Sequence, residues 1–158
     1  MAKRVYLGLG SNLGNKEQII RKAIDRIGKR VGTVVAVSSF YKTEPWGYQS
    51  VHTFCNAAMA VDTDLLPEEV LSTVQAIERE LGSKDHRRSD GSYADRLIDI
   101  DLLDYDGQVL DTYALVLPHP YMHKRTFVVE PLAEIAPQWM HPVLGKTAAE
   151  ILAGLEGR

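Results

Sequence analysis

The chain has 158 residues, 45% hydrophobic and 25% charged, with a formal net charge of −3 and both charge signs mixed along its length. That length and balance suit one domain over residues 1–158 with a core of its own, and no second catalytic domain is expected in it. No basic excess marks a nucleic-acid or anionic-membrane surface, no apolar run serves as a signal peptide or span, and the lone Cys55 excludes an internal disulfide, so the expected setting is the cytoplasm.

In chain order, Val5 to Leu9 reads as a buried strand running into a turn at Gly10-Ser11-Asn12. Asn15 followed by Gln18 resembles a helix N-terminal capping pair. Ile20, Ala23, Ile24, Ile27 and Val31 keep helical spacing, and Gly32 is the expected stop. Val34 to Thr43 is β-branched and aromatic, hence a strand; 44–53, with Pro45 and Gly47, is a loop; Phe54 to Val61 is a second, antiparallel strand. Pro67, Glu68 and Glu69 suit the first turn of a helix with a buried stripe of Val70, Val74, Ile77 and Leu81, ending at Gly82. A polar, basic loop over 83–94 precedes a strand at Leu97 to Leu103. Then come an Asp106-Gly107 turn, a short strand near Val109, Pro118-His119-Pro120, a helix from Arg125 to Ile135, and a capping box at Thr147-Ala-Ala-Glu150. The order predicts an α/β (α+β) fold: a ferredoxin-like split βαβ sandwich, two helices on one sheet face, with a C-terminal helical extension.

The chemistry concentrates at Asp99 and Asp101. On a strand they project together while Ile98, Ile100 and Leu102 project the other way. Two close carboxylates repel unless a cation lies between them, and Mg²⁺ suits that gap and brings phosphate oxygens with it. Taken alone, the pattern also fits a solvated face. Its neighbours favour phosphate: Arg96 just ahead, and Lys84, His86, Arg87 and Arg88 in the preceding loop, which otherwise serve as a soluble surface. His119, held between prolines, can donate to a phosphate or stand as a turn histidine in water. Lys124 and Arg125 can bind the same anion or form ordinary helix-start surface. Phe54 and Asn56 share one strand face with Ala58 and Ala60, which leave room beside them; the pair can stack and read a flat heterocycle, or serve as core and edge polar. Trp46 can close over such a ring. Gln75 and Glu78 lie three apart on the second helix, away from its apolar stripe, and either contact a ligand or face water.

In these residues the chain resembles the 6-hydroxymethyl-7,8-dihydropterin pyrophosphokinase family. The likeness rests on Leu9-Gly-Ser-Asn-Leu13, Ser39-Phe-Tyr-Lys-Thr43, Phe54-Cys-Asn-Ala-Ala58, Gln75-Ala-Ile-Glu78, Arg96-Leu-Ile-Asp-Ile-Asp-Leu-Leu103, Leu117-Pro-His-Pro120 and Arg125 to Pro137, in order over nearly the whole chain. It implies a monomer that moves a diphosphate group from ATP to the pterin hydroxymethyl oxygen and releases AMP. It assigns Asp99 and Asp101 to two Mg²⁺ ions, Arg96 and His119 to the phosphates, Arg125 to the nucleotide, and Gln75 and Glu78 to its pocket. Phe54 and Phe127 would sandwich the pterin, and Asn56 with backbone groups around Thr43, Pro45 and Trp46 would read its amino-oxo edge. The chain departs from the family pattern at Tyr93-Ala-Asp95, where Trp-Gly-Pro is usual, and at Ser83, where an arginine is common; Arg87 or Arg88 is the alternative to it. Without the resemblance two other classes fit: a nucleotidyltransferase using the same aspartates, and a non-catalytic ligand-binding module of the same fold.

Overall fold

The computed structural model describes residues 2–12, 15–43, 54–82 and 97–157. Its elements run β1 (Lys3–Ser11), α1 (Lys16–Arg30), β2 (Gly32–Val37), β3 (Tyr41–Thr43), β4 (Phe54–Thr63), α2 (Pro67–Glu80), β5 (Asp99–Tyr105), β6 (Leu110–Asp111), β7 (Val116–Leu117), a 3₁₀ turn (Met122–Lys124), α3 (Thr126–Ile135) and α4 (Ala148–Glu156). The main sheet has the order β2-β4-β1-β5 with antiparallel neighbours, and β3 also pairs with β4. That arrangement is the split βαβ sandwich the element order predicts.

One face of the sheet presents Val5, Leu7, Leu9, Ala57, Met59, Val61, Ile100 and Leu102 to the buried stripes of α1 (Ile20, Ala23, Ile27) and α2 (Val70, Val74, Ile77). Both helices begin where local chemistry satisfies their exposed N–H groups. The Asn15 side chain accepts from the Gln18 N–H at 3.4 Å, and the Glu69 carboxylate accepts from the Leu66 N–H at 2.8 Å. At α4 the expected box closes in both directions, Thr147 N–H to Glu150 at 2.9 Å and Glu150 N–H to Thr147 Oγ1 at 3.1 Å.

The opposite face is covered as well, which the sequence reading did not include. Ala58 and Leu103 pack with Met122, Val128, Leu132 and Ala148 of the 3₁₀ turn, α3 and α4 in a second core. Ala58 is therefore fully buried beneath α3, and offers no open space for a ligand. The single strand expected over Val34 to Thr43 is two. Between them Ser38 bridges to β4, its N–H donating to the Ala58 carbonyl and its Oγ accepting the Ala58 N–H, each at 2.9 Å. α1 ends at Arg30 with Val31 as its C-cap, so it stops just before Gly32 as expected, and Gly32 also opens β2, where a Cβ would overlap the Asp62 carbonyl. β1 continues through Gly10 to Ser11 rather than turning at Gly10.

Candidate active site

Register places the candidate groups in one row across the sheet. Asp99 of β5 pairs with Gly10 of β1, Gly10 with Asn56 of β4, and Asn56 with Tyr41 of β3. Paired residues project to the same side, so Asp99, Asn56 and Tyr41 share the face that α3 partly covers, with a glycine between the carboxylate and the carboxamide. At about 4.8 Å per strand, Asp99 and Asn56 stand about 10 Å apart across Gly10. The neighbouring row is Asp101, Gly8 and Ala58, and beyond Asn56 lies the pair Phe54 and Thr43. The period of two read from the sequence thus puts Asp99 and Asp101 together, both half-buried, on the side that also carries Phe54 and Asn56.

Gly10 is central to this surface. A Cβ there would stand 3.0 Å from Asn56 Oδ1, tighter than ordinary van der Waals contact. Its lack of a side chain keeps that space clear beside the Asn56 carboxamide. The donor set also suits Mg²⁺: two hard carboxylates on one side of a strand, with the remaining coordination left to water and phosphate oxygens. Among the described residues no group of three or more His, Cys, Asp or Glu side chains is placed to hold a metal ion.

β5 lies at the sheet edge, and Glu78 secures it. The Ile100 N–H donates to Glu78 Oε2 at 2.8 Å, and Glu78 is only 8% exposed. The sequence reading set Glu78 on a polar face of α2; instead it is buried next to Ile77 and ties α2 to the aspartate strand. Gln75 is exposed on the same helix, and is not part of the Asp99 row.

His119 arrives from the other direction. Its N–H donates to the Leu103 carbonyl at 2.9 Å, and its Nδ1 accepts from the Tyr121 N–H at 3.4 Å, which puts the proton of the neutral ring on Nε2. Burial and the Arg125 guanidinium hold its pKa below the ordinary imidazole value, against the opposing pull of Asp99. The charged form of the ring is thereby disfavoured. The Arg125 guanidinium lies 5.7 Å from the Tyr121 ring and 5.9 Å from the Phe127 ring, the latter half-buried in the first turn of α3. Lys124 is exposed on the 3₁₀ turn. Pro45, Trp46, Arg87, Arg88 and Arg96, with Lys84 and His86, lie outside the described residues, as does the Thr43 side chain. Sequence reasoning missed Gly10 and Tyr41; the alternation of Gly8 and Gly10 within β1 was the available signal for the first.

Comparison with known proteins gives a family and a fold. The family model described as 7,8-dihydro-6-hydroxymethylpterin-pyrophosphokinase (HPPK) matches residues 6–137. A 2-amino-4-hydroxy-6-hydroxymethyldihydropteridine pyrophosphokinase of Porphyromonas gingivalis is 45% identical over 139 residues, covering 87% of this chain and 93% of the relative. One of the same name from Methylorubrum extorquens is 43% identical over 154 residues, covering 97% and 94%. In fold, the chain is similar to a Plasmodium falciparum HPPK-DHPS structure with a TM-score of 0.82 at 16% identity, covering 100% of this chain but 45% of that one. The chain spans less than half of that solved protein.

Proposed function

The chain belongs to the 7,8-dihydro-6-hydroxymethylpterin-pyrophosphokinase family, and from that premise we propose how its residues divide the work. The activity is transfer of the diphosphate group of ATP to the hydroxymethyl oxygen of 6-hydroxymethyl-7,8-dihydropterin, with release of AMP, in folate synthesis. This sets aside nucleotidyl transfer and ligand binding without turnover. The observation that carries the assignment is the row Asp99, Gly10, Asn56 on one sheet face. A bicyclic ring read by Asn56 at one end reaches across the glycine floor, so that its hydroxymethyl arm meets phosphate held near Asp99.

In this reading Asp99 and Asp101 would hold two Mg²⁺ ions, which when bound would supply positive charge to offset that of the transferred diphosphate. The chain's own groups do the rest by position and charge. His119 Nε2–H and the Arg125 and Arg96 guanidinium groups donate to phosphate oxygens, with Lys124 and one of Arg87 and Arg88 adding positive charge. Glu78 acts from behind by fixing β5, while Gln75 contributes from the exposed side of α2. Phe54 and Phe127 grip the pterin faces, and backbone groups of Thr43, Pro45 and Trp46 join Asn56 at its edge. The enzyme works as a monomer in the cytoplasm; the lone Cys55 fits a reducing compartment, and no helix among the described residues is long and apolar enough to cross a membrane.

Steady-state kinetics of Phe54→Ala and Phe127→Ala test the division. Loss of one stacking face should raise the pterin KM at least about tenfold with the ATP KM nearly unchanged. Equal losses for both substrates would mean the pterin site lies elsewhere.

A further inference from the structure

One carboxylate outside the row gathers an unusual number of donors. Glu134, near the end of α3, accepts from the Ser39 N–H at 2.9 and 3.1 Å, from the Ser39 hydroxyl at 3.1 Å and from the Tyr41 hydroxyl at 2.6 Å. The effect shows on both partners: the Tyr41 hydroxyl is pushed up to about 12, chiefly by its bond to Glu134, and the Glu134 carboxyl is held below the usual carboxylate range. α3 does not need this tie to stay on the sheet, because Val128, Val129 and Leu132 already bury its inner side. The segment at the other end is the weaker body. β3 has three residues, and a strand that short adds little stability of its own.

The tie joins the two walls of the pterin site. Tyr41 pairs with Asn56 and Thr43 with Phe54, so β3 flanks the reading edge and one stacking ring. Glu134 stands seven residues after Phe127, two turns along the same side of α3, so a tether there sets the roll of the helix that aims the opposite ring. We propose that Glu134 and Tyr41 are positioning residues that set the spacing between the Phe54 wall and the Phe127 wall, and thereby the affinity for the pterin. The inference rests on the pterin site assigned above.

The test compares Glu134→Ala, Glu134→Gln and Tyr41→Phe with wild type by the KM of each substrate, kcat, direct pterin titration and melting temperature. Phe54→Ala serves as the reference for the pterin site. Glu134→Ala is expected to raise the pterin KM and Kd about tenfold while leaving the ATP KM within about twofold. Tyr41→Phe, which keeps the ring and removes one bond, should give a smaller loss of the same kind, and Glu134→Gln, which keeps an acceptor, should fall between. If Glu134→Ala does not fold, the two milder variants carry the test. Unchanged pterin constants in the tether variants beside a weakened Phe54→Ala overturn the proposal alone. ATP and pterin constants moving together with the melting temperature overturn it too, because that is general loosening. Phe54→Ala with an unchanged pterin KM overturns the assigned pterin site, and this inference with it.

Discussion

A methyl group at Gly10 would press on Asn56 Oδ1, 3.0 Å away, and the carboxamide has Tyr41 on its other side. Gly10→Ala therefore displaces the group that reads the pterin edge. We expect the pterin KM to rise about tenfold or more, as for a misplaced hydrogen-bonding pair, with a smaller change for ATP. An unchanged pterin KM would show that Asn56 does not read the ring. The two aspartates were legible in the sequence because a strand's period of two is a local rule. Gly10 was not, because a glycine followed by Ser-Asn has the composition of a turn. Only its partners on β4 and β5, remote in sequence, show it to be the floor of a site. Glu78 illustrates the same limit. Its sequence position said helix, and its destination, the Ile100 N–H, depends on where β5 lies.

At the scale of elements, apolar periodicity located α1 and α2, and capping or first-turn residues marked the starts of α1, α2 and α4. What it could not show was which element covers the second sheet face, since the side of the sheet on which α3 and α4 lie is set by long-range packing against Ala58 and Leu103. The link between α3 and α4 is held by His141, 4% exposed, whose Nδ1 accepts from the Val143 and Leu144 N–H groups at 3.2 and 3.1 Å. Burial, with the neighbouring His123, keeps its pKa below the ordinary imidazole value of 6.5. The folded state thus binds fewer protons than the unfolded chain once the pH drops below that value. The stability His141 contributes is complete above pH 6.5 and is lost as the pH falls through its lowered folded pKa. The slope is at most about 1.4 kcal/mol per pH unit for each such histidine. Melting temperatures from pH 7 downwards should fall less steeply in His141→Asn, which keeps an acceptor and cannot titrate; an identical slope would place the acid sensitivity elsewhere.

For the molecule as a whole, the fold alone decides little, because the split βαβ sandwich carries many functions. What distinguishes this chain is a division between the two sheet faces. α1 and α2 bury one face as the main core. α3 and α4 seal part of the other, and the row from Asp99 to Asn56 shares that face with the second core beside it. Stability and chemistry therefore meet on the same strands. The most direct measurement is AMP formation from ATP and 6-hydroxymethyl-7,8-dihydropterin by Asp99→Asn beside wild type, over a range of Mg²⁺ concentrations, with melting curves of both proteins. Turnover should fall by about 10³-fold or more in a protein that melts normally, since losing one carboxylate removes a ligand for the cation that would offset the charge of the transferred diphosphate. A folded Asp99→Asn enzyme that releases AMP at close to the wild-type rate would contradict the account.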